Sequence, residues 1–510
     1  MAVGVRKSSA CRMSVCSICF DNLRSNSTMS IMSERPGSVA VVNLLLCLML
    51  LALILPKLSA TDAASSSELE ARIDAYVQDI IAAGAYPAVA VSVRQGDTLV
   101  YHAAQGFADL EHQVPASADT VFRIGSLTKS FTSLLLARLA VEGKLDLELP
   151  VATYLPAYAG PAGEVPVRKL MNHTAGLLNY TDLPEFPHAY WGKLTREQMV
   201  AMFADADLVY APGSEFLYSN SGTYLLGLIA EAVTGDDYAT ALQQWVLDPL
   251  QLADTSIGDR EALIPRRARG YAATESGFVN APWLYPLIPF SAGALTSTLS
   301  DMQRYIQQVH EAAVFGEDVS ELIAHRSALP EGPLLNYTQG ALIDRDRLGR
   351  RQLGHPGAID GFSSYLTWYP DDALSIVVFT NAGASLPDPI AIEQRIARMV
   401  LGVPRLQPSN ASLTADELNA LTGDYLPGRV QMGLPSLGIV AHEQGELAVR
   451  LGGMHAPGES VPLQHVAGRH FMAAHDESME FRFEPESGPV TSLELDWYGA
   501  LLPYSPTPNP

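Results

Sequence analysis

The spacing of apolar and polar positions changes several times along the chain, and each change marks an element. Residues 65–85, SSSELEARIDAYVQDIIAAGA, place Leu69, Ile73, Tyr76, Ile80 and Ile81 at helical intervals behind a run of serines, which predicts a capped amphipathic helix. Residues 87–109 are two β-rich runs flanking Gln95-Gly96-Asp97 and predict a hairpin. FRIGSLTKSFTSLLLARLAVEGKL, 122–145, predicts a long and strongly apolar helix ending near Gly143. From about 150 to 290 the chain is rich in Pro and Gly and reads as helices and loops. Residues 354–383 give two strands around the turn Pro370-Asp371-Asp372, and 389–402 give a closing helix. Strands at both ends with helices between them predict one α+β domain over 66–402, its sheet completed by the C-terminal part and a helical subdomain inserted. Residues 403–414 read as a linker. Residues 415–505 then change to short alternating strands separated by Gly, Pro and Glu, which predicts a small all-β meander or barrel.

The first 60 residues follow a different rule. Arg6, Lys7, Arg12, Arg24 and Arg35 precede an apolar run from Val39 to Pro56, and small residues follow it. That order is the order of a secretory signal, and Met29 or Met32 would give it a more usual length. The run has 18 residues, marginal for a bilayer span, so a retained N-terminal membrane anchor is the second reading. Both readings place the remainder outside the cytoplasm, periplasmic or secreted. All four cysteines, Cys11, Cys16, Cys19 and Cys47, lie in this leader. The rest of the chain therefore has no disulfide and no thiol nucleophile. Cys16 and Cys19 have no second pair to complete a zinc site. A formal net charge of −22 excludes a basic face for nucleic acid.

Charge scarcity draws attention to one lysine. The chain has six, none after Lys193, and Lys129 stands three residues after Ser126 in the only S-x-x-K. On a helix that spacing puts both side chains on one face. A serine hydroxyl becomes nucleophilic when a base takes its proton, and a lysine serves as that base when apolar burial lowers its pKa. The Ser126 backbone N–H, at a helix start, has no intrahelical partner and is available to an oxyanion. Tyr218-Ser219-Asn220 is the only Y-x-N. Its tyrosine can relay a proton, a nearby lysine favouring the phenolate, and its asparagine can bind a substrate carbonyl and hold the lysine. A helix-capping asparagine at a loop junction is the plainer alternative. His355-Pro356-Gly357 is the only H-x-G and precedes an aromatic-rich strand, where a glycine lets a substrate backbone approach; an ordinary turn is the plainer reading.

Together these three motifs resemble the serine β-lactamase and penicillin-binding-protein superfamily, in its class C-like branch of D,D-peptidases, D-aminopeptidases and esterases. LMNHTAGL (170–177), DPLQLADTS (248–256), FSAGALTSTLSDM (290–302) and HPGAIDGFSSYLTWYPDDALSIVVFTN (355–381) are similar to that branch as well. The resemblance covers 66–402 and implies an antiparallel sheet flanked by helices. The C-terminal segment resembles the lipocalin-like barrel that often follows such a domain. Carried over residue by residue, Ser126 would be the acylated nucleophile, Lys129 its base and Tyr218 its partner in proton transfer. Asn220, His355 and Gly357 would bind substrate, and the N–H groups of Ser126 and Ala358 would form the oxyanion hole. No metal and no cofactor are implied.

One departure narrows the expectation. β-Lactamases and penicillin-binding proteins usually carry K-T-G where His355 stands, and that lysine helps bind the substrate carboxylate. A histidine binds a carboxylate weakly and in a pH-dependent way. The expected activity is therefore acyl-enzyme hydrolysis of a peptide, a D-amino-acid amide or an ester, with β-lactamase or D,D-carboxypeptidase as the alternative. A non-catalytic penicillin- or muropeptide-binding protein is the alternative of another class. A small-molecule or peptide substrate, cell-wall-derived material included, is the expected partner, and oligomerisation stays open. A G-x-S-x-G elbow and an H-E-x-x-H zinc motif are both missing from the chain.

Overall fold

The computed structural model describes residues 67–507 apart from 159, 185, 187–193, 260, 275, 331–333, 384, 386, 410–412, 428–429, 432–435, 443–445, 452–459, 475 and 498–499. The leader and its apolar run lie outside the described residues. No helix among the described residues is long and apolar enough to cross a membrane.

A nine-stranded antiparallel sheet forms the centre of the larger body. Its strands are β1 (Ala88–Gln95), β2 (Thr98–Asp109), β3 (Val114–Pro115), β4 (Arg326–Ala328), β5 (Leu334–Thr338), β6 (Ile343–Arg347), β7 (Arg350–Ile359), β8 (Phe362–Tyr369) and β9 (Leu374–Thr380). They lie in the order β4-β5-β6-β7-β8-β9-β1-β2-β3, so the C-terminal strands complete a sheet begun by the first hairpin. The β1–β2 turn is made at Gly96, whose φ of +54° is open to glycine, and the β8–β9 turn at Pro370–Asp372. β1 reads AVAVSVRQ and is buried on both faces, the pattern of a strand covered on both sides. One cover is helix α1, residues 67–82, through Ile73, Val77 and Ile80, beside helix α4, Pro389–Leu401, through Ile392 and Ile396. The other is the helical body, where Phe131, Leu134 and Leu135 of helix α2, Thr128–Val141, share a core with Ala90, Val377 and Phe379. Because α2 is buried nearly all round, it must sit centrally.

The stretch from 150 to 290 is more mixed than a helical subdomain. Beside helix α3, Asn220–Thr234, it holds strands Ser256–Ile257, Tyr271–Thr274 and Gly277–Asn280, which build two small sheets with pieces from elsewhere in the chain. Their short, glycine-bracketed sequences carry no readable alternation. β7 is a second difference: His355-Pro356-Gly357 precedes the aromatic-rich β8 as expected, but itself lies inside a strand. Gly354, Pro356 and Gly357 are poor strand formers, and pairing with β8, from Leu353↔Trp368 to Ile359↔Phe362, overrides that preference.

The C-terminal part is a closed barrel of eight strands between Gly423 and Pro506, each pairing antiparallel with the next and the last closing on the first. It has its own core, including Tyr425, Phe471, Phe481, Phe483 and Tyr504. It meets the larger body through Arg345 and Arg347 of β6, both paired with Asp496 of the barrel. Val430–Gln431, after the first barrel strand, also pairs in parallel with Phe216–Leu217, the two-residue strand entering Tyr218.

Candidate active site

Ser126 stands in a single 3-10 turn, Gly125–Leu127, that runs directly into α2. Two glycines press this turn against β7. A β-carbon on Gly125, whose φ is +51°, would lie 2.7 Å from the Ala358 nitrogen, and one on Gly357 would lie 2.1 Å from the Ile124 carbonyl oxygen. The Ser364 hydroxyl donates to that same Ile124 oxygen at 2.9 Å and ties the next strand in. The backbone around Ser126 and the Ala358 N–H are thereby brought to one wall of a cavity of about 710 Å³. The other lining residues include Tyr180, Thr181, Phe186, Asn220, Leu284, Pro289, Ala292 and Asp360.

Lys129 is 1% exposed, and its Nζ meets three oxygens: Ser126 Oγ at 3.1 Å, Asn220 Oδ1 at 2.8 Å and the Ala292 carbonyl at 2.9 Å. Among the described residues no carboxylate pairs with it. Burial drives its pKa well below the ordinary lysine range. A neutral amine has two N–H bonds and one lone pair. Asn220 Oδ1 and the Ala292 carbonyl can only accept, so they take the two hydrogens. The lone pair is then left for the one partner that can donate, the Ser126 hydroxyl.

Tyr218 completes the cluster. Its ring centroid is 4.8 Å from Lys129 Nζ, and its hydroxyl is hydrogen-bonded to Ser126. Burial raises its pKa, more than the bond to Ser126 lowers it. The resting form is thus the phenol rather than the expected phenolate, because a dry, neutral lysine supplies no stabilising charge. Asn220 is not the helix cap: Ser219 caps α3 by accepting from the Gly222 N–H at 3.2 Å, which frees the Asn220 side chain for Lys129.

His355 stands apart from these groups. It is 3% exposed, does not line the cavity and belongs to a buried chain behind it. The Ser219 N–H donates to His173 Nδ1 at 3.2 Å, so the neutral His173 ring carries its hydrogen on Nε2 and donates to Tyr337 Oη at 3.2 Å. Tyr337 then donates to His355 Nε2 at 3.1 Å, and His355 Nδ1–H donates to the Pro356 carbonyl at 2.5 Å. Acceptance at His173 Nδ1 and at His355 Nε2 requires both rings to be neutral. Burial pushes His355 down to about 3, and burial first among its causes pushes His173 well below its usual value. A partly charged His355 reaching a substrate carboxylate does not fit this placement, since the ring is desolvated and both its nitrogens are occupied. Gly357 likewise serves the packing of β7 on the Gly125–Leu127 turn. Tyr337, His173, Ala292 and Asp360 were not expected here. Tyr337 lies in no motif, while His173, Ala292 and Asp360 sit inside family-like segments that gave no hint of their neighbours.

Comparison with known proteins agrees with this geometry. Residues 73–400 match the family described as Beta-lactamase. The chain belongs to the β-lactamase family. It is 26% identical over 325 residues to Protein flp of Staphylococcus aureus (strain MW2), covering 62% of this chain and 64% of that protein's length. Among solved structures it is similar to the octameric penicillin-binding protein homologue from Pyrococcus abyssi, with TM-score 0.59, 21% identity, and 85% and 99% of the two chains covered. It is also similar to a D-stereospecific amidohydrolase from Streptomyces sp., with TM-score 0.53, 26% identity, and 66% and 97% covered. Within the β-lactamase family fold, the S-x-x-K, Y-x-N and H-x-G segments thus converge on one cavity and its back wall.

Proposed function

We propose that the chain is an exported serine hydrolase that forms an acyl-enzyme on Ser126 with an amide, peptide or ester substrate. The observation that carries this reading is the three-way contact of Lys129 Nζ, which leaves its lone pair facing Ser126 Oγ. Lys129 takes the hydroxyl proton as Oγ bonds to the substrate carbonyl carbon. The oxyanion is held by the N–H groups of Ser126 and Ala358. The carbon–leaving-group bond then breaks, and the leaving nitrogen or oxygen receives a proton through the Tyr218 hydroxyl. Water repeats the sequence, Lys129 and Tyr218 removing its proton, and releases the acid and free Ser126. Asn220 fixes Lys129 and offers its amide to the substrate. His355 and Gly357 act from behind, holding Tyr337, Tyr218 and β7 in place.

The similarity to a D-stereospecific amidohydrolase supports the amide reading, and cell-wall-derived peptides fit the exported location that the leader suggests. In this reading residues 1–60 are the leader, 66–402 the hydrolase domain, and 415–505 a lipocalin-like accessory domain. The test is covalent labelling: a fluorophosphonate probe should modify Ser126 and nothing else, and Ser126→Ala should abolish both labelling and turnover. An unlabelled Ser126 in folded protein, or full turnover by the alanine variant, sinks the proposal.

A further inference from the structure

The charge lining the cavity bears on which substrates it accepts. Of the described residues that line it, Asp360 alone carries a formal charge; the rest are apolar, hydroxyl or amide groups. Asp360 forms the β7–β8 turn with Gly361, two residues beyond Ala358 and so roughly 7 Å along the chain from the oxyanion donor. Its Oδ2 is buried with no hydrogen-bond partner among the described residues. Burial raises its pKa, and the nearby Arg123 guanidinium offsets part of that rise. Arg123 does not line the cavity and makes no ion pair with Asp360. It is 1% exposed, donates to the Leu284 carbonyl at 3.3 Å, and lies 4.8 Å from the Trp283 ring centroid. An unpaired carboxylate beside the reacting bond, in a cavity walled by Phe186, Leu284 and Ile359, lacks a partner that a substrate can supply.

We infer that Asp360 selects substrates that carry a free primary ammonium on the acyl group next to the scissile carbonyl, and rejects those that place a carboxylate there. The inference rests on the acyl-enzyme reading and names its substrate class. The ammonium donates to the carboxylate and neutralises it at the buried Oδ2, which makes the bond stronger than the same contact in water. The neutral His355 behind the wall supplies no opposing charge for an anionic substrate.

The test uses the full chain and the p-nitroanilides of D- and L-alanine, each with a free or an acetylated amino group. Fluorophosphonate labelling of Ser126 is measured first, and its failure would reject the hydrolase reading itself. With Ser126 reactive, the free-amine substrates should show the higher kcat/KM. Asp360→Asn should lower the free-to-acetylated ratio about 10- to 100-fold, the range expected for one hydrogen bond to a charged group. Asp360→Glu should restore much of it. Acetylated substrates cleaved as fast as free ones, neither pair cleaved, or a parallel fall of both in Asp360→Asn would each overturn the inference, the last by showing a structural role only.

Discussion

Gly125 and Ala358 are packed so closely that a β-carbon on the glycine would lie 2.7 Å from the alanine nitrogen and 2.8 Å from its oxygen. The contact joins the turn that holds Ser126 to the strand that holds Ala358, the two proposed oxyanion donors. Neither neighbour can yield, because both are backbone, and the φ of +51° adds its own strain to any side chain. Gly125→Ala should therefore part the two donors. Losing one such donor lowers rates by about 10²–10³, so kcat/KM should fall by at least that much. Fluorophosphonate labelling rates beside a thermal melt would check this: labelling should slow far more than the loss of stability explains.

Lys129 should act through its lone pair, and its replacements should separate charge from basicity. Lys129→Ala should lower the acylation rate by about 10²–10⁴, the range for a general base. Lys129→Arg should fail as well, because a guanidinium keeps its proton. The acylation rate should rise with pH as the ammonium loses its proton, with a midpoint well below the ordinary lysine range because burial disfavours the charged form. Single-turnover acylation measured across pH checks the sign. A rate that only begins to rise near the pKa of a solvated lysine would contradict a buried neutral base.

Asn220→Asp tests the same electrostatics from the other side. It would set a carboxylate where Oδ1 now lies 2.8 Å from Nζ. An adjacent negative charge favours the ammonium, so the acylation limb should move to higher pH and the rate near neutrality should fall. Asn220→Ala, which adds no charge, should lower the rate with a much smaller displacement of the limb. Equal displacement in the two variants would show that Asn220 acts on Lys129 by position alone.

The contact of Ser126 with a buried Lys129 was legible because three local facts coincide: a three-residue spacing, a helix apolar enough to dry the amine, and a dearth of other lysines. The sheet was legible where β1, β8 and β9 are rich in β-formers. β7 was not, since Gly354, Pro356 and Gly357 each resist strand formation and only pairing with β8 decides the matter. The partners of His355 were hidden for a different reason. Tyr337 and His173 reach it through tertiary contact across β5, β7 and the 170–177 loop, and no local pattern signals a hydrogen bond between them. Asp360 lay in plain sight within HPGAIDGF, but a carboxylate in a turn is ordinarily solvated, and only the fold shows it facing a cavity.

The buried imidazoles predict how the protein responds to acid. His355 is held at about 3 in the fold and titrates near 6.5 when unfolded, so in between the unfolded chain binds the extra proton. Its contribution to stability is complete above about 6.5 and is lost progressively as pH falls toward 3. The limiting slope is about 1.4 kcal/mol per pH unit for each such histidine, and His173 is depressed in the same direction. Urea unfolding at pH 7 and pH 5 should show the fall, and His355→Gln should flatten it, although less stable at pH 7. The pH–rate profile should carry no limb near 6.5 from His355. An unchanged pH dependence of stability in the glutamine variant would contradict the neutral, desolvated ring.

Arg347 predicts how the barrel is held. Its side chain is 3% exposed and pairs with Asp496, which also lies 3.6 Å from Arg345. Burial disfavours the Arg347 charge, but Asp496 and then Glu480 outweigh that and raise its pKa. Removing the aspartate takes away the larger of the two negative charges that support this buried cation, so Asp496→Ala should lower stability by up to about 3–5 kcal/mol. Changing both ends, Arg347→Met with Asp496→Leu, removes the charges together and should recover much of that loss, since a buried pair adds little over a well-packed apolar one. Differential scanning calorimetry of the two variants distinguishes them. The barrel side also pairs Val430–Gln431 with the strand leading into Tyr218, so loosening this contact should slow acylation at Ser126 as well. Stability lost equally in the single and double variants would show that packing around the pair, rather than the balance of charge, holds the barrel in place.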